Sequence, residues 1–315
     1  MIIHQGALGD LLLSLPALIS LRRHHSGSRL ALAGNPSNLS LLQHRLQVRD
    51  LHSTMGKDWA GLYQGTPRLS EGLSAFLKKI QRVYVFAPRP PDLLAENIKE
   101  AGSAEVVWIP SFPDKAAGKS IPLVQQVALN ALNISWISPK VYLVSSRGER
   151  SAGEALLKSL GLEVSKGIPI WAIHPGSGGL QKNWPIENFL TLAEKLRQEQ
   201  AAVPFFILGP VEREVRPEIR ALIGGQGFPI LEETSLALLA GVLSWSDGYL
   251  GNDSGVTHLA SCLNLPTLAL FGPTDPHLWG PIGRKTVVRR SDGTWPSLTV
   301  EAVLRECLRM LAATK

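Results

Sequence analysis

Asp10, Lys182 and Asp253 are the side chains of this 315-residue sequence whose types and surroundings could do chemistry. Asp10 ends the string Gly6-Ala7-Leu8-Gly9-Asp10 between an apolar start and a helical pattern. The glycines let the backbone turn tightly and approach a ligand closely. A carboxylate at such a helix start can take a proton from a hydroxyl as a general base. The same position also suits an aspartate that only caps the helix, and spacing alone favours the cap.

Lys182 closes a glycine-rich loop, His174-Pro175-Gly176-Ser177-Gly178-Gly179-Leu180-Gln181-Lys182, which follows a strand pattern and precedes Trp184-Pro185. Loop N–H groups, the Ser177 hydroxyl and the Lys182 charge together suit a diphosphate. The competing reading is a flexible loop with a solvated lysine. No Walker loop is present. Trp184 reads as a packing residue. Glu212, just after the next strand pattern, could accept hydrogen bonds from ribose hydroxyls, or it could be a solvated loop glutamate.

Asp253 lies in the longest informative stretch, Gly251 to Gly283, which reads as loop, short helix, buried strand and loop. Asn252, Asp253 and Ser254 stand where a helix N-cap is wanted, ahead of Gly255 and Val256. The unpaired N–H groups of that helix start form a seat for an anion. His258, one turn in, reads as a satisfied core or rim histidine. Gly272-Pro273-Thr274-Asp275-Pro276 makes a tight loop at the carboxyl end of the strand, where open α/β sheets bind ligands. Thr274 and Asp275 either line that pocket or pin the loop.

The elements that must position these groups alternate. Strands are expected at Met1–Gln5, Arg29–Ala33, Val83–Phe86, Glu105–Ile109, Ile170–His174, Phe205–Gly209, Leu265–Phe271 and Thr286–Arg289. Helical patterns fall between them, and Pro16 should kink or split the first helix. Residues 50–72 read as irregular with some helix, and Glu214–Ile223 as a helix. Such alternation argues for parallel sheets covered on both faces. Weak periodicity between Pro139 and Arg150 places a domain connection there or just after Leu160.

Composition narrows the partners. Hydrophobic residues at 44% and charged residues at 18% describe a globular chain long enough for two domains. The formal charge of +6 calls for an acidic partner, such as nucleotide phosphates or an anionic membrane surface. The basic residues are scattered without an aromatic platform, which disfavours nucleic acid. Two cysteines, Cys262 and Cys307, allow no disulfide framework or zinc spacing and fit a reducing cytoplasm. No H-E-x-x-H, acidic pair at a strand end or Cys/His cluster occurs, so no metal is expected.

Taken together, G-A-L-G-D, H-P-G-S-G…K-N-W-P and N-D-S-G-V-T-H-L-A…F-G-P-T-D-P resemble the ADP-heptose glycosyltransferases of glycosyltransferase family nine. The resemblance implies a GT-B architecture, with two Rossmann-like parallel-sheet α/β domains facing a cleft. It implies an acceptor domain at 1–155, a nucleotide-sugar domain at 156–298 and a terminal helix at 299–315 packing back towards the first. Asp10 then matches the catalytic base, with Gly6 and Gly9 in the turn near the acceptor. Ser177, Gly178, Lys182, Glu212, Asp253, Ser254, Gly255, His258 and Thr274 match the donor site.

The implied reaction is inverting, metal-independent transfer of heptose from ADP-heptose to a lipopolysaccharide-core or related glycan. It needs no cofactor and runs in the cytoplasm, with peripheral contact at the inner membrane and no nucleic acid. Alternatives are a family member with another nucleotide sugar or acceptor, or a non-catalytic nucleotide-sugar-binding module. A dehydrogenase is disfavoured because G-x-G-x-x-G is missing. Two departures stand out: His4-Gln5 occupies the place of an arginine usual in the family, and residues 50–122 carry no matching acceptor motif.

Overall fold

The structure is a computed structural model that describes all residues except 66, 103, 139–142, 165–166, 210–211, 213–216, 284, 293–294 and 314–315. Its contacts divide the chain into Met1–Pro139 and Lys140–Lys315.

The first unit runs β1 (Ile2–His4), α1 (Leu8–Leu13), α2 (Leu15–His24), β2 (Ala31–Gly34), α3 (Pro36–Gln43), β3 (Asp50–Ser53) and α4 (Lys57–Ala60). It continues with α5 (Glu71–Leu77), β4 (Arg82–Ala87), α6 (Asp92–Gly102), β5 (Glu105–Pro110) and α7 (Ile121–Ala131). Its strands pair in parallel in the order β3-β2-β1-β4-β5. Ile3, Ala33, Val83 and Val85 meet Trp59, Leu73 and Ile98 in the core. The first helical pattern is split as expected: α1 ends at Leu13, and Pro16 sits in the first turn of α2, where its missing N–H costs nothing.

The second unit holds α8 (Arg147–Ser159), β6 (Ile170–His174), α9 (Ile186–Gln198), β7 (Val203–Ile207), α10 (Pro217–Gly225), β8 (Ile230–Leu231) and α11 (Leu236–Leu243). There follow β9 (Gly248–Asn252), α12 (Gly255–Cys262), β10 (Thr267–Phe271), α13 (Pro276–Trp279), β11 (Thr286–Arg290) and α14 (Val300–Ala312). All pairings are again parallel, in the order β11-β10-β9-β6-β7-β8. β6, β9 and β10 are buried at every residue, as strands covered on both faces must be.

The contact division falls ahead of one expected boundary. The break expected at 155/156 falls inside α8, which belongs wholly to the second unit. A Cβ on Gly153 would lie 2.3 Å from the Gly241 carbonyl carbon, so α8 and α11 pack backbone to backbone. Trp245 Nε1 donates to Arg150 O at 2.7 Å, and the Arg150 guanidinium lies 4.4 Å from the Trp245 ring centre. The apolar face of α14 packs in the second core. Val303, Cys307 and Met310 pack there with Phe189, Leu192 and Leu250, and Trp184 Nε1 donates to Leu298 O at 3.0 Å.

β3, β8 and β9 have no counterpart among the expected strands. β3 is an edge strand reading Asp-Leu-His-Ser with half-exposed side chains, and β8 is only two residues long. Neither offers an apolar run to detect, and in β9, Gly-Tyr-Leu-Gly-Asn, two glycines and a closing asparagine interrupt one. The first part of the helix expected at Glu214–Ile223 lies outside the described residues, and α10 covers Pro217–Gly225.

Candidate functional site

Renumbered from its first strand, the second sheet has the order 3-2-1-4-5-6, which reverses between β6 and β9. A crevice opens outside the carboxyl ends of strands at such a reversal, and ligands bind there. The two loops leaving these ends are the glycine-rich loop after His174 and the Asn252-Asp253-Ser254 turn. Asn252, fully buried, staples them together. Its Oδ1 accepts from Trp184 N–H at 3.0 Å, and its Nδ2 donates to Pro175 O at 2.7 Å.

Asp253 is the hub. Its Oδ2 accepts from Lys182 Nζ at 2.8 Å and from Thr274 Oγ1 at 2.7 Å. His258 Nε2 stands 3.9 Å from Oδ1, an electrostatic neighbour beyond direct hydrogen-bond reach. Asp253 therefore does not cap α12. Ser254 does, its Oγ accepting from Thr257 N–H at 3.4 Å. Gly255 is the first helical residue, and first-turn N–H groups lack partners within the helix.

The other donor candidates are distributed around this hub. Ser177 Oγ donates to Asp253 O at 2.6 Å, so its hydroxyl hydrogen is spent on the backbone and does not point to a diphosphate. Gly178 borders open space, with nothing within 4 Å of where its Cβ would be. Glu212 is 3% exposed, which overturns the solvated reading. Its Oε2 accepts from Gly209 N–H at 2.8 Å, and a Cβ on Gly176 would come within 1.7 Å of Oε1. Gly176 therefore exists to admit that carboxylate beside the loop. Asp275 pins its own loop by accepting from His277 N–H at 3.0 Å.

Burial alone would raise the Asp253 pKa, but His258, Lys182 and Thr274 outweigh it and hold the carboxyl at about 2 instead of 3.8. A depressed carboxylate stabilises the fold fully above its unfolded pKa and loses that contribution as pH falls through the folded one. For Asp253 the window runs from 3.8 down to about 2. The contribution is about 2 kcal/mol. Urea unfolding of Asp253→Asn should show a correspondingly flatter loss of stability between pH 4 and pH 2 than the parent. Parallel curves would mean that the network carries no linkage.

Within the first unit, the sheet order reverses between β1 and β4, and the Gly6–Asp10 segment leaves the carboxyl end of β1 there. The turn is shorter than expected, because Gly9 is already the second residue of α1. Asp10 does take the capping role: its Oδ2 accepts from Ala7 N–H at 3.2 Å. A carboxylate offers about four lone-pair sites, so capping and proton abstraction are compatible.

His4 is buried and is spoken for inside the protein. Gly6 N–H donates to Nδ1 at 3.3 Å, which leaves the ring proton on Nε2, 3.2 Å from Ser14 Oγ. Burial holds His4 at a pKa of about 4, so the ring is neutral near pH 7. Ser14 Oγ donates in turn to Asp10 O at 2.8 Å and accepts from Gln125 Nε2 at 2.8 Å. The place of the family arginine is thus filled by a residue that braces the turn. Sequence reasoning missed this network because Ser14 and Gln125 lie 111 residues apart and each reads as an ordinary helical polar residue.

Among the described residues, no group of three or more His, Cys, Asp or Glu is placed to hold a metal ion. No described helix is long and apolar enough to cross a membrane.

Comparison with known proteins bears on both units. Lipopolysaccharide heptosyltransferase 1 of Pseudomonas aeruginosa is 33% identical over 130 residues, 41% of this chain and 36% of that protein. The aligned stretch thus spans little more than a third of that relative. In three dimensions, the chain resembles E. coli ADP-heptose lipopolysaccharide heptosyltransferase II, with a TM-score of 0.75 and 20% identity over 99% of this chain and 98% of that one. E. coli heptosyltransferase WaaC with ADP gives a TM-score of 0.70 at 18% identity, covering 98% of both chains. These likenesses establish the GT-B fold. The model of glycosyltransferase family 9 (heptosyltransferase) matches residues 121–306, more than half of the sequence, and the chain belongs to that family.

Proposed function

We propose that this chain is an inverting, metal-independent heptosyltransferase. It moves heptose from ADP-heptose onto a lipopolysaccharide-core or related cell-envelope glycan. The observation that carries the donor half is the Lys182–Asp253–Thr274 network beside the start of α12. Lys182 keeps two further N–H donors, and the helix start adds backbone donors and a positive dipole end. These groups stabilise the departing ADP diphosphate, an electrostatic role. Glu212 holds the ribose hydroxyls. Asp10 deprotonates the acceptor hydroxyl, which attacks the anomeric carbon as the bond to ADP breaks. The proton passes to Asp10, and the negative charge leaves with ADP.

The acceptor half is argued from family membership. The protein works in the cytoplasm and touches an anionic inner-membrane surface, where a lipid-linked acceptor would lie. Leu123 and Val127, one turn apart on α7 and exposed at 48% and 57%, are apolar groups available for such contact. Vesicle sedimentation with both changed to serine tests it, and unaltered binding would remove that face.

The decisive experiment follows ADP release from ADP-heptose in the presence of a heptose-deficient lipopolysaccharide acceptor, with and without a chelator. Acceptor-dependent ADP release that survives chelation is the expected result. Tight ADP binding without release would favour the other reading, a non-catalytic nucleotide-sugar-binding module. Loss of turnover on chelation would end the claim of metal independence.

A further inference from the structure

The first unit carries a second concavity at the end of its sheet away from Asp10. A cavity of about 560 Å³ opens beside Ile2, at the amino end of β1, whereas the Asp10 turn leaves the carboxyl end of that strand. Small-ligand pockets typically measure ~300–1,000 Å³. Its lining holds Arg22, Arg29, Lys79 and Arg82 against one carboxylate, Glu105, together with His25.

The bland account of these cations is that they neutralise a helix end or pair with neighbours. Arg22 fits it: it closes the last turn of α2 by donating to His25 O at 2.9 Å and Ser26 O at 3.2 Å. The others do not. Lys79 and Arg82 both lie on the connection from α5 into β4, and Arg29 precedes β2, so two separate segments converge on one cavity. Glu105 is consumed by Arg82, accepting from Nε at 2.7 Å. Arg29 reaches Asp50 only at 3.7 Å, with both side chains exposed, a pairing of little energetic weight. Among the described residues no carboxylate pairs with Lys79.

His25 also lines the cavity. Its Nε2 lies 2.8 Å from Tyr84 Oη. Its pKa is lowered, by burial first and then by repulsion from His24 and Arg82.

We infer that this cavity is a second anion site, which takes a phosphorylated ligand through Arg29 and Lys79, with the Glu105-paired Arg82 beside them. Guanidinium forks match phosphoryl oxygens in pairs, and an ammonium adds a point charge. The volume leaves room for more than one phosphoryl group. The same chemistry is offered by a soluble phosphate ester and by an anionic lipid headgroup. Nothing in this site depends on the transfer reaction.

The test uses the full chain and reads His25 by NMR. Inorganic pyrophosphate should raise the His25 pKa, because a bound anion favours the protonated ring. The Arg29→Glu/Lys79→Glu variant should need at least about tenfold more pyrophosphate for the same shift. Thermal melting checks its fold, and Arg29→Gln/Lys79→Gln replaces it if it fails to fold. Reading His25 keeps pyrophosphate bound near Lys182 out of the measurement. Sedimentation with phosphatidylglycerol vesicles separates the sources. Vesicle binding lost in the variant identifies a lipid headgroup, and a His25 response without vesicle binding identifies a soluble ligand. A His25 pKa that does not move, or moves equally in the variant, overturns the site.

Discussion

Asp10→Asn should lower turnover by about 10²–10⁴-fold while ADP binds as before. Asparagine is the informative replacement because its Oδ1 can still accept from Ala7 N–H, the bond that Asp10 makes at 3.2 Å. The turn and the start of α1 then survive, and what disappears is the capacity to take a proton. Turnover measured by ADP release, ADP affinity by calorimetry and the melting temperature together separate the two roles of this side chain. A cap without chemistry predicts a small change in melting and normal turnover, which would remove Asp10 from the mechanism. Gly6→Ala supplies a positional check. Its Cβ would sit 2.9 Å from Asp10 Cβ and 2.9 Å from His4 Cε1, so the turn must shift and turnover should fall with the carboxylate intact.

The parallel-sheet architecture was legible where strands are buried on both faces and read as unbroken apolar runs. β6 and β10 are of this kind, and their boundaries match the expectation closely. α8 was harder. Its attachment to α11 depends on two glycines 88 residues apart, Gly153 and Gly241, whose missing side chains allow backbone contact. A glycine inside a helical pattern looks like a weak helix former until its partner is known.

The candidate site divides along the same line. The motifs supplied the residue types, and the reversal points of the two sheets place the loops that bear them at the carboxyl ends of strands. What the motifs could not carry was the pairing. Lys182 and Asp253 are separated by 71 residues, and only the fold turns a lysine that looked like a phosphate ligand into the partner of a buried carboxylate. Glu212 was open to the solvated reading for the same reason, since the space it fills is created by Gly176. The His4–Ser14–Gln125 brace was invisible because buried polar networks have no periodicity.

The Lys182–Asp253 pair also makes the simplest mutant ambiguous, and a double-mutant cycle resolves it. Lys182→Ala should weaken ADP binding by about 10–100-fold, the scale of losing one charge-assisted hydrogen bond. It also strips a carboxylate that is 7% exposed of its cation, which destabilises the fold and could disturb the loop by itself. Asp253→Asn removes that second effect, because a neutral amide needs no counter-charge. In the Lys182→Ala/Asp253→Asn variant, stability near pH 7 should therefore recover relative to Lys182→Ala alone. ADP affinity is the deciding measurement. If the ammonium bridges Asp253 and the diphosphate, affinity stays low in the double variant, since no cation has been returned to the phosphates. If Lys182 serves only to neutralise Asp253, affinity returns to the parent value together with stability. Calorimetry with ADP on all four proteins, alongside urea unfolding, gives both coupling energies. A non-zero coupling confined to stability would leave the diphosphate to the backbone N–H groups at the start of α12.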